Sequence, residues 1–211
     1  MKKINLEEER KRLYDLCEYE RKYGDREYIC GIDEAGRGPF AGPVVAGAVI
    51  LPKDIMIIGI NDSKKLSPKK RDALYDEITK KAISYSVGIR DEKRVDEINI
   101  LQATYEAMRD AVDSLKVRPD ILLNDAVTIP DIDIEQVPIT HGDALSISIA
   151  AASIIAKVTR DRMMQDYDKK YPEYGFAKHK GYGTKAHIEA LRKYGPCPLH
   201  RRSFIHKYVE D

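Results

Sequence analysis

No stretch of this 211-residue chain is apolar for long enough to cross a bilayer. The longest apolar run, Ile147 to Ile155, is interrupted by serines and falls well short of the ~20 residues that a membrane helix needs. The first residues are rich in Lys, Glu and Arg and contain no apolar core, so neither a leader nor an anchor is expected. Cysteine is scarce. Cys17, Cys30 and Cys197 are odd in number, widely spaced and form no CxxC pair, which excludes a disulfide framework and points to reduced thiols in the cytoplasm. Cys197-Pro-Leu-His200 supplies only half of a zinc motif, and no second half exists elsewhere. An excess of one charge is also missing: 36 Lys and Arg stand against 35 Asp and Glu, so the chain as a whole is not a polycation drawn to nucleic acid. Internal repeats and low-complexity linkers are absent.

What is present suits one soluble domain with a small appendage, since 43% of residues are hydrophobic and 34% charged. The charge is uneven. Between 169 and 207 a run of cations including Lys178, Lys180, Lys185, Arg192, Arg201 and Lys207 faces only Glu173 and Glu189, which makes the C-terminal part a basic patch. Residues 5 to 23 carry early acids and Leu13, Leu16 and Cys17 at helical spacing, closed by Gly24, and read as an accessory helix. Tyr28–Asp33 and Val44–Leu51 read as strands joined by a glycine-rich turn, and Ile57–Ile60 reads as a third short strand completing a β-meander. Ser67 and Pro68 supply a helix cap and first position, and Ile83, Tyr85, Val87 and Ile89 alternate as a strand. Helices over Val95–Leu115, Leu145–Met164 and Thr184–Tyr194 then alternate with strands at Ile121–Asp125 and Ile134–Ile139. Ala150-Ala151-Ala152 permits close packing of the long helix. The order implies an α/β fold around a mixed sheet.

Acids gather where elements end. Asp33 closes the first strand, Asp125 closes Ile121–Leu123, and Asp143 follows Gly142 just ahead of a helix. Glu34 adjoins Asp33 but points the other way along a regular strand. Converging carboxylates repel, and the usual remedy is a hard cation on oxygen ligands, Mg²⁺ or Mn²⁺, in a site suited to phosphodiester hydrolysis. Spacing alone leaves Asp143 equally a helix cap and Asp125 equally a turn residue. Asp131, Asp133 and Glu135 lack the glycine of an ion-binding loop and read as solvated. Gly31 to Gly38 imitates a P-loop but lacks the Lys-Ser/Thr pair and leads into a strand rather than a helix. Gly36, Arg37 and Gly38 suit close approach to a nucleic-acid strand, Lys64 in Asn61-Asp62-Ser63-Lys64-Lys65 offers a phosphate contact, and Lys180 with Tyr182 combines a cation with a stacking ring. A tight turn and solvated loops remain the plain alternatives.

The blocks Gly31–Pro43 (GIDEAGRGPFAGP), Asp62–Ser67 (DSKKLS), Asp125, Gly142-Asp143, Ala151–Arg162 (AASIIAKVTRDR), Tyr174–Tyr182 (YGFAKHKGY) and His200–Phe204 (HRRSF) resemble, in order, those of type 2 ribonuclease H, the ribonuclease HII family. The resemblance implies a ribonuclease H-like fold, a five-stranded mixed β-sheet flanked by helices with a small helical C-terminal region. It divides the chain into an N-terminal helix (1–27), a catalytic domain (28–166) and a substrate-binding region (167–211). It places Asp33, Glu34, Asp125 and Asp143 as metal-holding catalytic acids, with Glu34 acting from a different angle or through its main chain. It assigns Gly36, Arg37 and Gly38 to the ribonucleotide at an RNA–DNA junction and Tyr182 to the adjoining sugar. The implied enzyme is a cytoplasmic monomer that uses Mn²⁺ or Mg²⁺, cleaves RNA/DNA hybrids, and nicks duplex DNA on the 5′ side of an embedded ribonucleotide. Two rivals are the type 3 ribonuclease H, which carries a long N-terminal substrate-binding domain not seen before residue 28, and a binding module whose acids only shape a groove. The chain departs from the family around the third acid, where an aliphatic residue usually precedes and Gly often follows; here Asn124 and Ala126 flank Asp125. Asn124 is expected to face a helical layer, where an unpaired amide is costly.

Overall fold

Two strands whose inward residues are small and apolar form the centre of the molecule. β1 (Ile29–Ala35) pairs antiparallel with β2 (Val44–Ile50), every residue of which is buried. The computed structural model describes residues 5–209. β3 (Ser84–Arg90) extends the antiparallel side, while β4 (Ile121–Asp125) and β5 (Glu135–Ile139) add to β1 in parallel, giving the order β3-β2-β1-β4-β5. This is the mixed five-stranded sheet that the sequence implies.

Helices cover both faces. α4 (Glu92–Asp113) lies against β2 and β3, and α5 (Ile147–Lys170) lies against β1 and β2. The approach of α5 is set by glycine: a Cβ on Gly31 would lie 2.0 Å from the Ser148 carbonyl carbon, and one on Gly47 would lie 2.6 Å from the Ala152 oxygen. Backbone cannot yield as a side chain can, so Gly31→Ala is expected to cost about 2–3 kcal/mol. That corresponds to an unfolding temperature lower by roughly 4–12 °C in a thermal melt; an unchanged melt would refute the contact.

Three expectations are corrected. The N-terminal helix is two, α1 (Leu6–Leu16) and α2 (Glu18–Lys22), broken at Cys17, which forms an isolated bridge with Ser146. Ile57–Ile60 is a turn rather than a strand; Ile57 and Ile60 are buried in the core beside α5, so their apolarity reflects packing and not pairing. The third strand of the meander is instead β3, reached through α3 (Pro68–Lys81), with Ser67 Oγ accepting from Lys70 N–H and Pro68 at the first position as the sequence predicts. Finally, α4 is interrupted at Asn99 (φ 67°), whose side chain caps the following turn by accepting from the N–H groups of Leu101 and Gln102. No helix among the described residues is long and apolar enough to cross a membrane.

Candidate active site

The parallel pairing of β1 and β4 brings the acids together. Ile32 lies level with Asn124, so Asp33 and Asp125 leave adjacent strands at one edge of the sheet. Asp33 shares the α5 face with Gly31 and is 6% exposed. Glu34 occupies the opposite face, and its N–H donates to Asp33 Oδ1 at 2.7 Å. Asp143 sits in a 3₁₀ turn, Gly142–Ala144, which Asp125 anchors by accepting from Gly142 N–H at 2.8 Å. The cap of α5 is Ser146, which decides against the helix-cap reading of Asp143.

Asn124 does face the layer opposite α5, fully buried, and half of its amide is satisfied: Nδ2 donates to Gln136 Oε1 at 2.8 Å while Oδ1 has no partner. Gln136 is held in turn by both main-chain groups of Ile129. Ala126 adopts φ 58°, the left-handed conformation that glycine occupies without strain.

Burial and mutual charge act on these acids together. Burial raises the Asp33 carboxyl well above its ordinary value, helped by the charges of Glu34 and Asp125; the Ser153 hydroxyl, 2.9 Å from Ser63 Oγ, partly offsets this. Burial likewise raises Glu34, against the pull of Arg37, whose Nη1 lies 3.3 Å from Glu34 Oε1. Asp143 is raised by burial and then by Asp62 and Asp125. Burial works to lower the Lys64 ammonium, yet Asp33, Asp62, Asp143 and Asp125 together outweigh it and hold the group up. Lys64 thus reports the shared field of the acids. Asp62, read from the sequence as part of a phosphate-contact segment, is a further acid of this cluster and also caps the turn Ser63–Lys65.

Carboxylates that raise one another's pKa lack positive charge, and their all-oxygen donor set fits a hard cation such as Mg²⁺ or Mn²⁺. Among the described residues no three Asp, Glu, His or Cys side chains close into a ready-made metal shell. The acids are neighbours that a cation's field would still have to draw in.

Beside the acids runs the loop 36–43, and two buried arginines determine its shape. Arg201 donates five hydrogen bonds of 2.7–3.0 Å to the carbonyls of Gly36, Arg37, Pro39 and Gly42. Arg160 donates to those of Ala41, Pro43 and Lys180. Because N–H and C=O point oppositely across a trans peptide, carbonyls turned toward Arg201 leave the N–H groups of Arg37 and Gly38 directed away from it. Gly36 (φ 98°) has no room for a Cβ, which would lie 2.2 Å from Arg160 Nε. Both arginines lie in blocks that carried the family resemblance, but nothing in the sequence marked them as buried.

Tyr182 closes the far side of the loop: it is 46% exposed, and its ring edge lies 3.8 Å from where a Gly38 Cβ would stand. Lys64 is exposed near the acids, whereas the Lys180 ammonium turns back to the Ala177 carbonyl and its main chain docks on Arg160. The structure therefore places Asp33, Glu34, Asp125, Asp143, Gly36, Arg37, Gly38, Lys64 and Tyr182 at or beside the ends of β1 and β4 and leaves the Lys180 side chain engaged elsewhere. Asp131 and Asp133 are exposed, as expected of solvated acids.

Comparison with known proteins gives the family. A family model described as Ribonuclease HII matches residues 30–207. A ribonuclease HII of Lachnoclostridium phytofermentans is 65% identical over 200 residues, covering 95% of this chain and 79% of that protein. The crystal structure of the ribonuclease H2 from Pyrococcus horikoshii superposes with a TM-score of 0.71 at 30% identity, covering 86% of this chain and 96% of the other. A PCNA:RNase HII complex from Archaeoglobus fulgidus gives 0.70 at 27% identity, covering 86% and 95%. With a family model spanning most of its length and a relative of this identity over nearly the whole chain, the chain belongs to the ribonuclease HII family, the type 2 ribonucleases H.

Proposed function

We propose that this ribonuclease H hydrolyses the RNA strand of RNA/DNA hybrids and also nicks duplex DNA on the 5′ side of a single embedded ribonucleotide, leaving 3′-hydroxyl and 5′-phosphate ends. The observation that carries the reading is the parallel pairing of β1 with β4, which sets Asp33 and Asp125 at the ends of adjacent strands, with Asp125 holding the turn that carries Asp143. Asp33, Asp125 and Asp143 would hold Mn²⁺ or Mg²⁺, and Glu34 would support them from the other face of β1. Two such ions, when bound, supply an activated water and charge stabilisation for the leaving oxygen in an in-line displacement.

The chain's own groups do the rest. The outward N–H groups of Arg37 and Gly38 are placed to meet the ribose 2′-hydroxyl and its flanking phosphate, which separates RNA from DNA. Arg37 adds charge at the rim, where it also restrains Glu34. Tyr182 packs on the sugar that follows. Lys64 neutralises the acids before substrate arrives and can then turn to a phosphate. The segment from 167 onward, including α7 (Lys185–Tyr194) with its exposed cations, serves as the duplex-binding region, and the enzyme acts in the cytoplasm as a monomer.

The test is cleavage of an end-labelled DNA duplex holding one ribonucleotide, in Mn²⁺, Mg²⁺ or EDTA, beside an RNA/DNA hybrid. A metal-dependent nick on the 5′ side of the ribonucleotide is expected. Hybrid cleavage without that nick would remove the junction-reading half of the proposal.

A further inference from the structure

Cys197-Pro-Leu-His200, half a zinc motif in the sequence, takes part in something else. Its histidine lies in a cluster with His187 and the half-buried His179: His187 Nε2 and His200 Nε2 are 3.0 Å apart, and the rings of His179 and His187 stack at 4.4 Å. His187 and His200 are 0% and 2% exposed. The distances determine where each proton sits. The Cys197 N–H can only donate, and it lies 3.0 Å from His200 Nδ1, so that nitrogen is an acceptor. A proton there would meet the amide hydrogen head on, although the Cys197 carbonyl stands nearby at 3.3 Å. The proton of His200 is therefore on Nε2 and is donated to His187 Nε2. That leaves the proton of His187 on Nδ1, donated to the Tyr182 carbonyl at 2.9 Å. Burial, which pushes both rings down to about 4, keeps them neutral, as this assignment requires.

We propose that His187 and His200 are positioning residues for junction reading: a fixed chain of donors from the Cys197 amide through both rings holds the Tyr182 backbone so that its ring stands beside Gly38. The inference rests on the reading that Tyr182 packs on the sugar after the ribonucleotide. A second line supports the placement: His179 donates from Nε2 to the Tyr174 carbonyl at 2.7 Å and accepts from Gly181 N–H at 3.2 Å, so the residue before Tyr182 is tied to the same cluster. Phe40 N–H donates to the Gly181 carbonyl at 2.8 Å, which joins the cluster to the clamped loop. A deoxyribose offers the ring an apolar face that a ribose hydroxyl would spoil. Displacement of Tyr182 should therefore weaken cleavage at a single ribonucleotide much more than cleavage inside a continuous RNA strand.

Two measurements test this. Long-range proton–nitrogen correlation spectra of the isotope-labelled wild type at neutral pH should show His187 protonated on Nδ1, with His179 and His200 protonated on Nε2. Protonation of His187 on Nε2 would overturn the chain of donors whatever the enzyme cleaves. In the second, His187→Leu removes the donor while His187→Asn leaves an amide that can reach the Tyr182 carbonyl. The leucine variant should lose about tenfold or more in kcat/KM on the single-ribonucleotide duplex and stay within about threefold on a hybrid, with asparagine recovering most of the loss. Equal losses on both substrates, or none, would reduce the histidines to packing. A wild type that nicks no embedded ribonucleotide would instead sink the junction reading itself, and the spectra would still stand. Should the leucine variant fail to fold, the asparagine variant and the spectra decide.

Discussion

Asp33→Asn is expected to abolish strand cleavage by roughly a thousandfold or more, about 4 kcal/mol in activation free energy, and at the same time to make the metal-free protein more stable. The two effects share one cause. Asp33 is a buried carboxylate held beside Glu34 and Asp125 with no cation in direct contact, so its charge is tolerated only for what it later holds. Asparagine keeps an oxygen for the Glu34 N–H and a polar contact for Ser153, and loses only the charge. Removal of that repulsion should contribute about 1–2 kcal/mol, or roughly 2–8 °C in an EDTA melt. A carboxyl whose folded pKa is raised contributes stability while it keeps its proton and loses that contribution as pH rises through the folded value, so the gain of the variant over wild type should widen as pH rises. Binding of an RNA/DNA duplex should persist or tighten, since a charge facing phosphates has gone. Single-turnover cleavage, a melt in EDTA at several pH values and a duplex titration read the three outcomes. Cleavage within tenfold of wild type, or a lower melting temperature, would contradict the assignment of Asp33.

Arg201→Lys carries the second large effect, although the change preserves charge. The guanidinium of Arg201 spreads five hydrogen bonds over four carbonyls of the loop 36–43, and no surface water can replace it because the residue is 0% exposed. Lysine offers three donors at a single point and cannot reach carbonyls on both sides of a planar fork. Two or more carbonyls would be orphaned at about 1–3 kcal/mol each, so a loss of about 3–5 kcal/mol is expected. This corresponds to an unfolding temperature lower by roughly 6–20 °C. The loop would lose the orientation of its outward N–H groups, and kcat/KM should fall about tenfold or more even where the variant is fully folded. Burial first, and then the Arg160 charge, push the Arg201 pKa down to about 9 against the opposing pull of Glu92 and Asp96, which leaves it cationic at neutral pH. Thermal melts, and kinetics well below the melting temperature, separate the two parts. A variant with unchanged stability would show that the clamp does not hold the loop.

Strands and long helices were legible wherever one local signal dominated. The Ser67-Pro68 start, the strand Ile121–Asp125 and the glycine-ended helix α7 all appear where capping and alternation place them. Ile57–Ile60 misled because a buried turn and a short strand need the same apolar residues. The break at Asn99 was hidden because the helical pattern on either side hides a single left-handed residue. In the site, Asp33, Asp125 and Asp143 stood out at element ends, whereas Asp62 was masked by the two lysines that follow it.

The sequence by itself determined most of the elements, the acids at element ends and the family, because periodicity, caps and the order of motif blocks are written along the chain. Only the tertiary structure decided what those acids feel and what shapes the loop beside them. Parallel pairing of β1 with β4 makes neighbours of residues some ninety positions apart, and burial converts their proximity into raised pKa values. The same holds for Arg201 and His187: an arginine or histidine in a basic segment reads as a surface cation until folding shows which carbonyls it faces. Local signals cannot carry that information, since desolvation and hydrogen-bond direction exist only once distant segments have met.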